Sequence, residues 1–378
     1  MTETGVGWPA PSHDTSGPLQ GLRVLDVGSM IAGPFGASLL ADLGADAIKI
    51  ERPGNGDPLR HWPPMRDGIS LWWKVTNRNK RVVSLNIAKA RGRALFLQLA
   101  GHADVVIENF RPGTLEKWDL GEDVLRGANE RLVLVRVSGY GQTGPHRQRP
   151  GFGTIAEAIS GLAWFTGPAE HPPTLPAFPL ADTLAGCFAA LGALSALAER
   201  DRISGTGQVV DVSLYEPLFR LIESQAIAFD QLGIIKQRQG NRPEEDSPRN
   251  AFETSDGAWI AISAPSDRSF ARLTQAMQRE DLLEDPRYRT NTTRIEHAEE
   301  LDAQIADWVR QRTAAECTEM FDGSEVAAGQ IYSIEDIFND VQYQFRNTIA
   351  EVADDDFGSV KMPAVVPLFS RSRTQIWR

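Results

Sequence analysis

Asp182 is the carboxylate whose setting most suggests chemistry. It stands in Pro179-Leu-Ala-Asp-Thr-Leu-Ala-Gly186, at the head of an apolar run. An aspartate at that place commonly caps the helix that follows. The same place allows a second role. The N-terminus of a helix favours negative charge and keeps a partly buried carboxylate ionised. Such a carboxylate can attack an acyl carbon and form a mixed anhydride. Small neighbours, Ala181, Ala185 and Gly186, leave room for a substrate to approach.

Other chemistries find less support. Gly139-Tyr-Gly-Gln-Thr-Gly144 has the spacing of a dinucleotide-binding turn, but Pro145-His-Arg-Gln-Arg-Pro150 follows. Two prolines bracketing basic residues make a loop, whereas a pyrophosphate site needs a helix start there. The histidines at 13, 61, 102, 146, 171 and 297 have no His or Cys at ligand spacing, so no metal is expected. Gly-x-Ser-x-Gly is absent, which removes an esterase-type nucleophile. Cys187 sits in the apolar run and reads as core. With Cys317 it makes two cysteines, too few for a disulfide scaffold and suited to a reducing cytoplasm.

Charge is unevenly placed. The net charge is -11 over 378 residues, which argues against a nucleic-acid binder. Yet Lys49 to Lys117 holds 13 Lys/Arg against 6 Asp/Glu. That stretch is either a solvated basic face or a pocket for a phosphorylated small molecule. Arg78-Asn-Lys-Arg81 and the pair Arg111 and Lys117 fit the pocket.

These residues need a scaffold. Short apolar runs at 22–28, 45–51, 81–85, 104–108 and 132–138, with helical stretches at 34–43 and 92–102, read as βαβ units around a covered parallel sheet. A helix at 182–199, a strand at 207–214 and a helix at 216–232 follow. The apolar run 184–198 is too short to span a bilayer. Residues 236–250 are polar and read as a linker. Phe252–Ile262 is a hairpin candidate turning at Asp256-Gly257. Helices are expected at 268–277 and 298–312, and a strand-like tail at 348–369. The expected organisation is a loose N-terminal arm at 1–20 without a signal peptide, a large domain at 21–232, a small domain at 233–335, and a return to the large domain at 336–378.

Several segments together resemble the family III CoA-transferases, the group that includes formyl-CoA and carnitine CoA-transferases and the α-methylacyl-CoA racemases. They are Leu22-Arg-Val-Leu-Asp26, Ala32-Gly-Pro34, Leu43 through Ile48-Lys-Ile-Glu-Arg52 to Asp57, Asn77-Arg-Asn-Lys-Arg81, Asp104-Val-Val-Ile-Glu-Asn-Phe-Arg-Pro-Gly113, Gly139 to Pro145, and Asp182. They cover roughly residues 20–215, and the remainder matches more loosely. The resemblance implies an α/β fold, with a Rossmann-like large domain built on a parallel sheet, a smaller α+β domain, and an interlocked homodimer. It makes Asp182 the nucleophile of an acyl-CoA:carboxylate CoA-transferase that needs no prosthetic group, with coenzyme A or acyl-CoA and a carboxylic acid as substrates. By position it assigns CoA contacts to Met30, Ile31, Ala32, Arg52, Leu85, Lys89, Asn109, Phe110, Arg111 and Lys117. Arg and Lys would meet phosphates, and Phe110 or Leu85 the adenine. The backbone N–H groups around Ile31–Gly33 are candidates for holding the developing oxyanion.

Departures narrow the choice. The racemases place a proton-moving His where this chain has Phe152, and phenylalanine exchanges no proton. Ile31 replaces the glutamine of the oxalate-using enzymes, and no glycine run follows Asp182. Gly151–Gly161 is similar to the branch that includes succinyl-CoA-dependent transferases for hydroxy or unsaturated dicarboxylic acids. A non-catalytic CoA-binding protein would have no need of Asp182.

Overall fold

The computed structural model describes residues 7–11 and 16–377. The arm expected over 1–20 therefore lies partly outside the described residues. Its described part is tied down, since Trp8 Nε1 donates to Asp46 at 2.7 Å.

The chain divides into two compact units, 1–163 with 175–235 and 342–378, and 164–174 with 236–341. The larger unit carries strands β1 (Arg23–Asp26), β2 (Asp46–Glu51), β3 (Lys80–Ser84), β4 (Val105–Glu108), β5 (Val133–Ser138) and β6 (Val209–Ser213). They form one six-stranded sheet in the order β3-β2-β1-β4-β5-β6. Every pairing is parallel. This is the strand order of a Rossmann-type sheet, in which ligands bind beyond the carboxyl ends of the strands where the order reverses. The reversal lies between β1 and β4. Every residue of β2, β4 and β5 is buried, as expected of parallel strands covered on both faces.

Helix α1 (Ala32–Asp42) follows β1, and α2 (Ala90–Ala100) follows β3. After β5 come α3 (Gly153–Ile159) and α4 (Leu180–Glu199). The sequence 139–150 forms a loop, so no dinucleotide-type helix opens there. Helix α4 continues through Arg200–Ser204 and is by length and composition long enough to cross a membrane. Its alanines are nevertheless core residues: Ala181, Ala185, Ala189 and Ala193 are all fully buried. Two glycines let α1 and α4 cross closely. A Cβ at Gly186 would lie 2.8 Å from the carbonyl oxygen of Ala32, and one at Gly36 would lie 2.9 Å from that of Gly186. The small residues around Asp182 therefore serve helix packing, not the substrate space that the sequence suggested. Cys187 faces outward on α4, contrary to its reading as core.

Two further helices, α5 (Glu216–Leu221) and α6 (Glu223–Leu232), end this part of the unit. The C-terminal hairpin 349–354 and 358–363 belongs to the same unit. Lys74 pairs with Asp354 at 2.6 Å, and Asn79 bonds Gln375 and Trp377.

The smaller unit is an α+β body. Its antiparallel sheet combines Arg249–Glu253, Trp259–Ser263 and Ala328–Gln330, with Trp259–Ser263 central. The first two form the expected hairpin around Asp256-Gly257. Helices Asp267–Ala276, Ala298–Val309 and Ala314–Gly323 supply the core, through Phe270, Leu301, Ile305 and Phe321. Residues 164–174 also belong to this unit, which no feature of the sequence signalled.

Candidate active site

The loop 27–31 lies at the reversal between β1 and β4, and it is held from below by buried charges. Asp26, Lys49, Asp57 and Lys80 have almost no exposed side-chain surface. Lys80 Nζ lies 2.8 Å from Asp26, and Lys49 Nζ lies 2.9 Å from Asp57 and 3.0 Å from the carbonyl of Gly28. Burial is the largest influence on Asp26, Lys49 and Lys80. It pushes the Lys80 amine down to about 8. For Asp26 the two lysines outweigh burial and hold the carboxyl below its ordinary value. Asp57 Oδ1 accepts the N–H of Met30 at 3.1 Å, and Asn109 exchanges two bonds of 2.8 Å with the backbone of Ser29. Met30 is thereby fixed at a φ of 63°, a left-handed conformation that a side-chain-bearing residue adopts only when its surroundings impose it.

Two cavities meet at Ser29. The first, of about 800 Å³, is lined by Arg52, Leu85, Lys89 and Phe110 together with Gly28 and Trp118. Phe110 and Trp118 pack edge to face, with centroids 5.1 Å apart. Lys89 stands at the N-terminus of α2, where unpaired N–H groups favour an anion. Among the described residues Arg52 and Lys89 have no ion pair, in contrast to most of the basic stretch. Arg78 pairs with Asp42, Arg81 with Asp46, Lys74 with Asp354, and Arg60 with Glu51. The cluster 78–81 is thus neutralised inside the fold and is not the phosphate pocket that its sequence suggested. Arg111 and Lys117 are exposed and line neither cavity.

The second cavity, of about 810 Å³, holds Asp182 together with Met30, Ile31, Ala32 and Asn109. Trp62 and Trp72, with rings 6.0 Å apart, form part of its wall. Asp182 lies in the first turn of α4, and Pro179 occupies the cap. The aspartate makes no cap bond and is not the N-cap. Burial and then the charge of Glu157 push its carboxyl up to about 6. At Gly153 a Cβ would lie 2.2 Å from Asp182 Oδ2, so only glycine leaves the carboxylate its place. Phe152 borders the same cavity and is 73% exposed.

A family model for CoA-transferase family III matches residues 19–378. The chain belongs to CoA-transferase family III. The succinyl-CoA–D-citramalate CoA-transferase of Chloroflexus aurantiacus is 46% identical over 354 residues, 93% of this chain and 88% of that protein. The β subunit of the succinyl-CoA–L-malate CoA-transferase of the same organism is 40% identical over 362 residues, 95% and 89% of the two chains. A CaiB/BaiF family protein from Brucella suis has a crystal structure that superposes with a TM-score of 0.85 at 29% identity, covering 96% of this chain and 95% of that one.

This family III CoA-transferase therefore acts on CoA thioesters and carboxylates. Of the residues that the sequence assigned to CoA, four line the first cavity and four line the second beside Asp182, and Arg111 and Lys117 join neither. The sequence missed Asp57 as the clamp on Met30, Gly153 as the residue that makes room for the Asp182 carboxylate, and Glu157 as its charged neighbour. Only their positions inside quoted motifs hinted at them.

Proposed function

We propose that Asp182 is the acyl acceptor in a CoA transfer from succinyl-CoA to a second carboxylic acid. The observation that carries this is the Asp182 carboxylate in a cavity that adjoins, at Ser29, a second cavity lined by unpaired Arg52 and Lys89. The carboxylate attacks the donor carbonyl. The C–S bond breaks, CoA leaves as thiolate, and an aspartyl–acyl anhydride remains. The thiolate then attacks the Asp182 carbonyl and releases the donor acid, leaving an aspartyl-CoA thioester. The acceptor carboxylate displaces the thiolate from that thioester. The thiolate in turn attacks the acceptor's carbonyl, which forms the new acyl-CoA and restores Asp182.

The N–H groups of Ser29 and Met30 are taken by Asn109 and Asp57. Those of Ile31, Ala32 and Gly33 open α1 without intrahelical acceptors, and they are the donors for the developing oxyanion. Arg52, Lys89 and the start of α2 take phosphates, and Leu85 and Phe110 take the adenine. Phe152 at the cavity rim carries no titratable proton, which disfavours racemisation. The relatives' donors and acceptors make succinyl-CoA with citramalate or malate the first pair to assay. A screen of CoA thioesters against carboxylic acids, read by mass spectrometry, tests the reading. It fails if no pair exchanges CoA, or if hydroxylamine present during turnover leaves Asp182 unmodified.

The working form is an interlocked homodimer. Along α5 and α6 the apolar residues Leu221, Ile227, Phe229 and Leu232 are 60–72% exposed, and α6 has no buried residue. A second copy covering them accords with the size of the exposed apolar surface.

A further inference from the structure

We infer that Glu157 is a positioning residue for the transfer reaction. Its carboxylate anchors the first turn of α4 and sets a fixed negative charge beside Asp182, so that acylation of Asp182 relieves a repulsion. This inference rests on Asp182 as the acyl acceptor.

Glu157 is 2% exposed. Its Oε1 accepts the N–H of Ala181, one residue before Asp182, at 3.3 Å. No cation pairs with it among the described residues. A buried carboxylate without a counter-charge is costly. A glutamine oxygen would accept the same N–H at no such cost, so anchoring alone does not account for a glutamate here.

The cavity adds the second part. Its lining comes from the β1–α1 loop, Trp62, Trp72, Asn109, the end of β5, residues 151–157, residues 176–179, Asp182 and Leu214. Among these the only acidic or basic side chains are those of Asp182 and Glu157. Charges on the elements packed against α4 are engaged elsewhere: Arg136 with Glu108 and Glu116, Asp211 with the N–H of Gln142, Glu216 with Ser213, and Arg220 with Glu223. Asp42, at the far end of α1, pairs with Arg78. Glu157 is accordingly the charge that acts on Asp182. A like charge lining the same cavity disfavours the ionised form of Asp182. In the first chemical step the charge on Asp182 moves to the departing thiolate. The repulsion from Glu157 is present before that step and absent after it, which favours the forward direction.

The test compares full-length wild type with Glu157→Gln and Glu157→Asp, using succinyl-CoA and citramalate or the best pair from the screen. The pH profile of kcat/KM for the donor reports the titration of the free enzyme. In the Gln variant the acidic limb should move down by about one pH unit, with a several-fold lower plateau and an unchanged or higher melting temperature. The Asp variant should keep the wild-type limb. A Gln variant with the wild-type limb and plateau overturns the inference, as does an Asp variant whose limb shifts like that of Gln. If the Gln variant does not fold, the Asp variant decides: a wild-type limb supports the inference and a lowered limb overturns it. An active Asp182→Asn enzyme would instead sink the acyl-acceptor reading itself. An inert Asp182→Asn enzyme with an unmoved Glu157→Gln limb would sink only the role of Glu157.

Discussion

Replacing Asp182 by asparagine should abolish transfer and at the same time stabilise the protein, and the second effect can be worked from the structure. The Asp182 carboxyl is raised from 3.8 to about 6 by burial and by Glu157. A shift of about two units corresponds to about 3 kcal/mol between the protonation states. The sign follows from linkage. The unfolded chain ionises first, so stability contributed by the protonated group is full below about pH 4 and is lost as pH rises through about 6. At pH 7.5 the wild type therefore carries an ionised carboxylate in a poor environment. The asparagine side chain keeps the shape and removes the charge. The variant should gain up to about 3 kcal/mol at pH 7.5, or roughly 2 °C of Tm per kcal/mol for a unit of this size, and nothing at pH 4. Because Pro179 holds the cap position, no cap bond is lost to confuse the measurement. Urea or thermal melts at the two pH values, alongside CoA exchange read by mass spectrometry, give both readouts. An Asn variant with near-normal transfer would refute the nucleophile. A stability difference that is the same at pH 4 and pH 7.5 would show that Asp182 is not desolvated and would remove the physical argument for its reactivity.

Three other outcomes follow from the same geometry. Gly153→Ala puts a methyl where Asp182 Oδ2 now sits, so transfer should drop by at least about 100-fold while CoA binding, measured by calorimetry, changes little; unimpaired transfer would mean that the carboxylate works from another position. Arg52→Ala should weaken CoA binding about tenfold, with a loss that shrinks in high salt, whereas Lys117→Ala should leave it unchanged; equal effects would displace the phosphates from the first cavity. Sedimentation at micromolar concentration should find a stable dimer, with an interface well above the ~1,600 Å² of ordinary complexes, and a monomer there would rule out interlocking.

The sheet was legible because parallel strands covered on both faces must be continuous apolar runs. All six expected runs in the larger unit became its strands. Hairpin 252–262 was legible for a local reason too, a turn dipeptide between alternating residues. Asp182 was conspicuous for a local reason as well: its residue type and its place at the head of an apolar run are visible in the sequence.

What the tertiary structure alone decided is how charges and cavities meet. A local excess of Lys and Arg over 49–117 reads as an anion site in one dimension. In the fold Asp26, Asp42 and Asp46, all from outside that stretch, reach Lys80, Arg78 and Arg81 across 35 to 54 residues of sequence. Buried cations must be paired, and only folding shows with what. Arg52 and Lys89 stand out only once their neighbours are seen to be spoken for. The head of α4 is a similar case. A shift of the cap by three residues, from Asp182 to Pro179, turns Asp182 into a first-turn carboxylate. The groups that then control it, Gly153 and Glu157, lie 29 and 25 positions earlier in the chain. No local pattern encodes that approach, because it depends on how α3 is laid against α4.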